Sequence, residues 1–251
     1  MNFLDKILFY VSVPKCVFCG ERLEIEESAL CSKCKSIYFD LKERLCSVCL
    51  KPLYRCMCPN HYLESHFIHK HIKVFRYLPG EETPANTLIY KLKRDNRRDV
   101  LEFLSSELSS AIDNSLEINE KFVFTNVPRR RKEAKKYGLD HAKLLAKSLS
   151  KHYSAEYYQP LIPKSKKAQK KTSGEERLLN ARFKLKKSAK DLSGKTVIIV
   201  DDIVTTGASM GSCATLLKAL GTKKIIGATI SIAYKDRYVP LDVEDRFRIK
   251  K

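Results

Sequence analysis

Thr196-Val197-Ile198-Ile199-Val200 is a run of β-branched residues without polar alternation. Such a run suits a strand covered by helices on both faces, as at the centre of a parallel sheet. Two carboxylates, Asp201 and Asp202, stand at its end, and a small, hydroxyl-rich loop, Thr205-Thr206-Gly207-Ala208-Ser209, follows them. A helical pattern comes next, with Met210, Ala214, Leu217 and Leu220 on one face and Gly221 as its stop. Ile225 to Ile232 reads as another strand. Strand, helix, strand in this order implies a right-handed crossover. The pattern predicts an α/β fold, a parallel sheet flanked by helices, with ligands at the carboxyl ends of its strands.

Upstream, the patterns support the same fold. Residues 61–80 read as a connector that turns into a strand at Ile72, Val74, Phe75 and Tyr77. Thr83-Pro84 opens a helix reaching about Leu92. Asp99 is placed to cap the next helix, with Leu101, Leu104, Leu108 and Ile112 at helical spacing. Phe122-Val123-Phe124 predicts a short buried strand ending at Pro128, and residues 139–150 a helix. Residues 163–190 form a long Lys-rich stretch, and loops of that length are usually functional.

Of nine cysteines, eight lie between Cys16 and Cys58, in four close pairs. The pairs are Cys16-x-x-Cys19, Cys31-x-x-Cys34, Cys46-x-x-Cys49 and Cys56-x-Cys58. Each brings two thiolates to one turn, where they can share a tetrahedral zinc with another pair. We assign Cys16, Cys19, Cys31 and Cys34 to one Zn2+ and Cys46, Cys49, Cys56 and Cys58 to a second, with His61 as an alternative ligand there. With four protein ligands per ion the role is structural. Gly20 allows a tight turn around the first ion. Cys213 reads as a core thiol, and His66, His69 and His71 as part of a polar connector. This divides the chain into a double zinc-ribbon domain, 1–66, and a second domain, 67–251.

The 251 residues carry a formal charge of +19. Residues 129–190 hold 20 basic and 5 acidic side chains, so most of the excess lies there. Two runs stand out, Arg129 to Lys136 and Lys164 to Lys171. Such a segment suits phosphate groups, including a nucleic-acid backbone. Tyr153, Tyr157 and Tyr158 lie in it and can stack on bases, although packing is the commoner role. No stretch approaches the ~18–20 apolar residues of a membrane span. Ile7 to Val11 lacks a cleavage site and reads as a short amphipathic helix, so a cytoplasmic protein without membrane insertion is expected.

The loop after Asp202 has the chemistry of an anion site. Its N–H groups and the helix dipole suit a phosphate. Gly207 permits close backbone approach, and the hydroxyls of Thr205, Thr206 and Ser209 can donate to phosphate oxygens. Asp201 and Asp202 can accept from vicinal sugar hydroxyls or hold a hydrated Mg2+. A P-loop NTPase would need G-x-x-x-x-G-K-[ST], which does not occur.

The thirteen residues Val197 to Ser209 resemble the phosphoribosyl pyrophosphate (PRPP) signature of type I phosphoribosyltransferases. With the cysteine pairs, Leu88 to Arg94, Val127-Pro128 and Gly138 to Ala146, the chain resembles the ComF family over roughly residues 14–233. The resemblance implies a type I phosphoribosyltransferase fold behind a double zinc ribbon. It implies a competence protein that handles single-stranded DNA during uptake. A separate reading is a scaffold whose zinc ribbon recruits a competence helicase or a pilus component. By the same resemblance, Asp201 and Asp202 meet the ribose hydroxyls of PRPP, bound with Mg2+, and Thr205 to Ser209 hold its 5-phosphate. Val127, Pro128, Arg129 and Arg130 form the pyrophosphate loop. Tyr137, Lys164, Lys166 and Lys167 depart from the family pattern on the acceptor side. No catalytic residue, general base or nucleobase-reading pocket is legible.

Overall fold

The computed structural model describes residues 14–116, 122–129, 138–164 and 183–233. The N-terminal apolar run, Arg130, the basic runs 130–136 and 166–171, Tyr137 and the tail after Ala233 lie outside the described residues.

The helices are α1 (Ser32–Lys42), α2 (His61–Glu64), α3 (Pro84–Asp95), α4 (Arg98–Asp113), α5 (His141–His152) and α6 (Ala208–Lys218). The strands are β1 (Ile68–Arg76), β2 (Phe122–Asn126), β3 (Glu156–Tyr157), β4 (Leu161–Pro163), β5 (Phe183–Leu185), β6 (Thr196–Val204) and β7 (Lys224–Ile232). Among the described residues, five strands form one sheet in the order β1-β7-β6-β2-β3, and every neighbouring pair is parallel. β4 and β5 make a separate antiparallel pair. The α/β architecture expected from the sequence is therefore present, with β6 and β7 at its centre.

Alternation along the strands separates two cores. Ile198, Val200, Ile226, Ala228 and Ile72 pack with α4 and α5 through Leu104, Leu108, Leu145 and Leu149. Val197, Ile199 and Ile225 pack on the other face with Met210, Cys213 and Leu217 of α6. Helices on both faces explain why β6 is apolar without alternation. Cys213 is fully buried, as the sequence suggested.

The cysteine-rich segment packs onto the β1 edge. Tyr38 of α1 meets Phe75 of β1 and Phe103 of α4 edge-on, with ring centroids 5.7 and 5.4 Å apart. Its hydroxyl donates to Glu107, which also pairs with the buried Lys42. Cys16, Cys31 and Cys34 belong to the core of the α4–α5 face, and Cys46 and Cys56 to that of the α6 face.

Two expectations change. Helix α4 starts at Arg98, so Asp99 lies in its first turn rather than capping it. There Asp99 pairs with the Arg97 guanidinium and faces the positive end of the helix dipole. His71 belongs to no polar connector. It sits in β1, fully buried, with Nε2 2.9 Å from the Thr229 hydroxyl. Burial and the adjacent Lys73 cation hold its pKa well below the ordinary value. β1 is buried without alternation from His71 to Phe75, because both of its faces are covered there, which the surrounding His and Lys residues conceal in the sequence.

Candidate anion site and cysteine centres

Asp201 and Asp202 close the carboxyl end of β6. Asp201 Oδ1 accepts the Asp202 N–H at 2.9 Å, and Asp202 Oδ1 accepts the Ile203 N–H at 2.7 Å. Burial, then the neighbouring Asp202 carboxylate, push the Asp201 carboxyl well above its ordinary pKa. The chain then turns through Thr205 and Thr206, both exposed, to Gly207 at φ 87°. That backbone region suits glycine. Gly207 is the N-cap of α6, and Leu63 of α2 fills the space that a side chain would take there, so a phosphate would meet the backbone N–H groups of the turn. The Thr206 hydroxyl lies 3.3 Å from the Ala208 N–H, and Ala208 and Ser209 are half-buried.

Two cations converge on Asp202. Lys93 Nζ, from the last turn of α3, is 3.3 Å from Oδ1, and Arg129 Nη2 is 3.3 Å from Oδ2. Arg129 Nη1 also donates to the Leu139 carbonyl at 2.7 Å and to His141 Nδ1 at 3.0 Å. His141 Nε2 then donates to Asn96 Oδ1 at 2.7 Å. With Asn96 accepting, Nε2 carries the proton and Nδ1 is the acceptor for Arg129. Burial first, and the Arg129 charge second, push His141 down to about 4. At neutral pH the imidazole is uncharged and orients the guanidinium.

The base of this loop is a buried polar network. Val127 N–H donates to the Val200 carbonyl at 3.0 Å, extending the pairing of β2 with β6. Asn126 Oδ1 accepts from Tyr157 at 2.8 Å and from Gln159 at 2.7 Å, and Asn126 itself is fully buried. Val127 and Pro128 are buried, and Arg129 follows them toward Asp202. Tyr153 stacks on Phe124 and donates to Asp113, and the Tyr158 hydroxyl accepts the Lys190 N–H. All three tyrosines thus serve packing and hydrogen bonding within the fold.

Of the residues that the sequence points to, Asp201, Asp202, the Thr205–Ser209 loop and Val127 to Arg129 lie at the ends of the neighbouring strands β6 and β2, and Arg130 lies outside the described residues. Not singled out by sequence are Lys93, the second cation on Asp202, and His141 and Asn96, neutral groups that hold Arg129 in place. A signal existed: Lys93-Arg94 closes a helix that ends at Asn96, a residue tolerant of the left-handed φ of 51° found there.

The eight N-terminal cysteines form two groups, Cys16, Cys19, Cys31, Cys34 and Cys46, Cys49, Cys56, Cys58. Within each group the sulfurs lie inside 4.8 Å of one another, and all are free thiols. Tetrahedral Zn–S bonds of about 2.3 Å need S···S edges of about 3.8 Å. Cys19 and Cys31 are 3.7 Å apart, so the donor set fits zinc. His61 belongs to neither group. In the first knuckle the Gly20 N–H donates to the Cys16 carbonyl, and in the second the Leu50 N–H donates to that of Cys46. Both turn residues have positive φ, 78° for Gly20 and 56° for Leu50. The Cys46 thiol is held well below its ordinary value, chiefly by its hydrogen bond with Cys56, and the Lys73 cation adds to this. Lys73, itself buried, donates to the Cys58 carbonyl at 2.5 Å.

Residues 137–248 match the family model of the phosphoribosyl transferase domain. The chain therefore carries a domain of phosphoribosyltransferase type. A 35-residue stretch is 57% identical to a ribose-phosphate pyrophosphokinase of Thermococcus kodakarensis, covering 14% of this chain and 12% of that protein. Among solved structures, the chain is similar to an adenine phosphoribosyltransferase of Thermoanaerobacter pseudethanolicus at 16% identity and a TM-score of 0.36, over 56% of this chain and 83% of that one. It is also similar to a hypoxanthine phosphoribosyltransferase of Staphylococcus aureus, at 15% identity and a TM-score of 0.34, over 53% of this chain and 62% of that one. Both superpositions are loose. Among the described residues, no helix is long and apolar enough to cross a membrane.

Proposed function

We propose that the chain is a PRPP-binding protein of the ComF type, acting in the cytoplasm on incoming single-stranded DNA. The observation that carries the PRPP reading is Asp202 flanked by Lys93 and Arg129, beside a glycine-capped helix N-terminus. Thr205 to Ser209 take the 5-phosphate, and Asp201 and Asp202 take the ribose hydroxyls. The loop Val127 to Arg130, joined by Lys93, takes the pyrophosphate. Mg2+, arriving with PRPP, neutralises phosphate charge when bound, and the paired carboxylates are hard-oxygen donors that fit it. The two cations stabilise negative charge gathering on a departing pyrophosphate, so a transferase with an unidentified acceptor is the second reading. The basic residues of 129–190 supply the positive charge that a DNA backbone would neutralise. The first 66 residues form the zinc ribbons and the remainder the PRPP-binding domain. Exposed Leu45, Val48 and Leu50 on the second ribbon favour a further role in recruiting a partner such as a competence helicase.

Calorimetry with PRPP and Mg2+ tests the core of this reading. Wild type is expected to bind, and the Asp201→Asn, Asp202→Asn double variant to lose binding. Equal affinity in both proteins would overturn it. The DNA reading predicts affinity for an oligonucleotide that falls steeply with salt, and a flat salt response would refute it.

A further inference from the structure

The second cysteine centre is joined to the phosphate loop by a very short path. Only Pro59 separates Cys58 from Asn60. Asn60 has two bonds. Its Oδ1 accepts the Leu63 N–H at 2.9 Å, capping α2, and its Nδ2 donates across to the Thr206 carbonyl at 3.2 Å. The contact continues along α2. A Cβ placed on Gly207 would lie 2.9 Å from Leu63 Cδ2, and one on Gly211 would lie 2.9 Å from Tyr62 Cε1. Tyr62 is backed by His66, stacked on it at 4.1 Å between centroids, and His66 Nδ1 is 2.7 Å from the Tyr62 carbonyl. Gly207 and Gly211 thus admit α2 against the first turn of α6. Thr206 itself is exposed, so Asn60 holds a part of the loop that the core does not reach.

We infer that Asn60 is a positioning residue for the phosphate loop, and that it makes the loop depend on metal at Cys46, Cys49, Cys56 and Cys58. Among the described residues the first cysteine centre has no such link, because its cysteines belong to the core on the opposite face. The inference rests on the PRPP reading only for its consequence. The tether is a property of the fold.

Asn60→Asp separates the two bonds. Aspartate keeps the cap on Leu63, but it presents an acceptor where Thr206 offers one. The experiment compares hydrogen exchange of the segment 205–211, zinc content and PRPP–Mg2+ affinity in full-length wild type, Asn60→Asp, Cys49→Ser and Cys19→Ser. Asn60→Asp is expected to keep wild-type zinc content, to exchange faster at 205–211 and to bind PRPP about 3- to 10-fold more weakly. Cys49→Ser is expected to lose one zinc and to speed the same segment, whereas Cys19→Ser loses one zinc and leaves it unchanged. Wild-type exchange in Asn60→Asp, or equal loosening in both cysteine variants, overturns the inference. Loosened exchange together with no PRPP binding by wild type would leave the tether standing and remove the PRPP reading.

Discussion

Replacing Asn96 by Asp should turn a silent histidine into a pH-sensitive one. Asn96 sits at φ 51°, a conformation that aspartate also tolerates, and its Oδ1 already accepts from His141 Nε2 at 2.7 Å. The variant places a carboxylate at that distance. An opposite charge so close raises a pKa by about 1–3 units, from about 4 for His141 to roughly 5–7. This amounts to roughly 1.4–4 kcal/mol in favour of the imidazolium. The imidazolium donates from both nitrogens, so Nδ1–H would face Arg129 Nη1 at 3.0 Å, donor against donor. Arg129 then leaves its place beside Asp202. The assays are an NMR titration of His141 and calorimetry with PRPP and Mg2+ at pH 7.5 and 5.5. The ratio of variant to wild-type affinity is the readout, because it cancels the titration of PRPP itself. It should fall about 5- to 10-fold between the two pH values, the size of one charge-assisted bond. A wild-type His141 titrating near 6.5, or a ratio independent of pH, would refute the reasoning. The wild-type shift also has a stability consequence. The folded pKa lies below the unfolded one, so the contribution is complete above about pH 6.5. It is lost as pH falls toward 4, about 3 kcal/mol in all.

Asp202→Asn leaves Lys93 and Arg129 facing each other without their anion, and should lower stability by roughly 1.5–3 kcal/mol in denaturant melts. Chelation should release two zinc equivalents, one per cysteine group, and lower the melting temperature; a metal-free protein melting at the same temperature would refute a structural role. The two knuckles predict an asymmetry. Gly20→Ala, with open space around it at φ 78°, should cost about 1–2 kcal/mol from backbone strain alone. Leu50→Gly, starting from φ 56°, should be neutral or stabilise by up to about 1 kcal/mol, because relief of strain is offset by the entropy of glycine.

The sheet was legible because β6 carries its own explanation: an apolar run, then acids, then a small loop. The cysteine spacing likewise defined two four-thiol groups. Less visible were contacts between residues far apart in the chain. Nothing in Asn96 or His141 alone announces that a helix end and a helix start meet at Arg129, 33 and 12 positions away. Asn60 is similar. Its capping role can be guessed from sequence, but its bond to Thr206, 146 residues on, depends on how α2 crosses α6. His71 and Lys73 show the limit from the other side. Polarity points to a connector at His71 and to an exposed face for Lys73 within the strand, yet both faces of β1 are covered there and both residues are buried.

β1 is an edge strand, and the cysteine-rich segment runs along it. The His71 N–H donates outward to the Met57 carbonyl at 2.9 Å, and the Lys73 ammonium reaches the neighbouring Cys58 carbonyl. Because one cysteine centre lies in each core, the segment grips the sheet from both sides like a clasp over a seam. Opening the clasp would expose a nine-residue strand with an unpaired flank, a ready template for another chain. Metal loss would then threaten more than local order. It would make the protein self-adhesive, and ions bound at the two centres would guard its solubility as much as its shape.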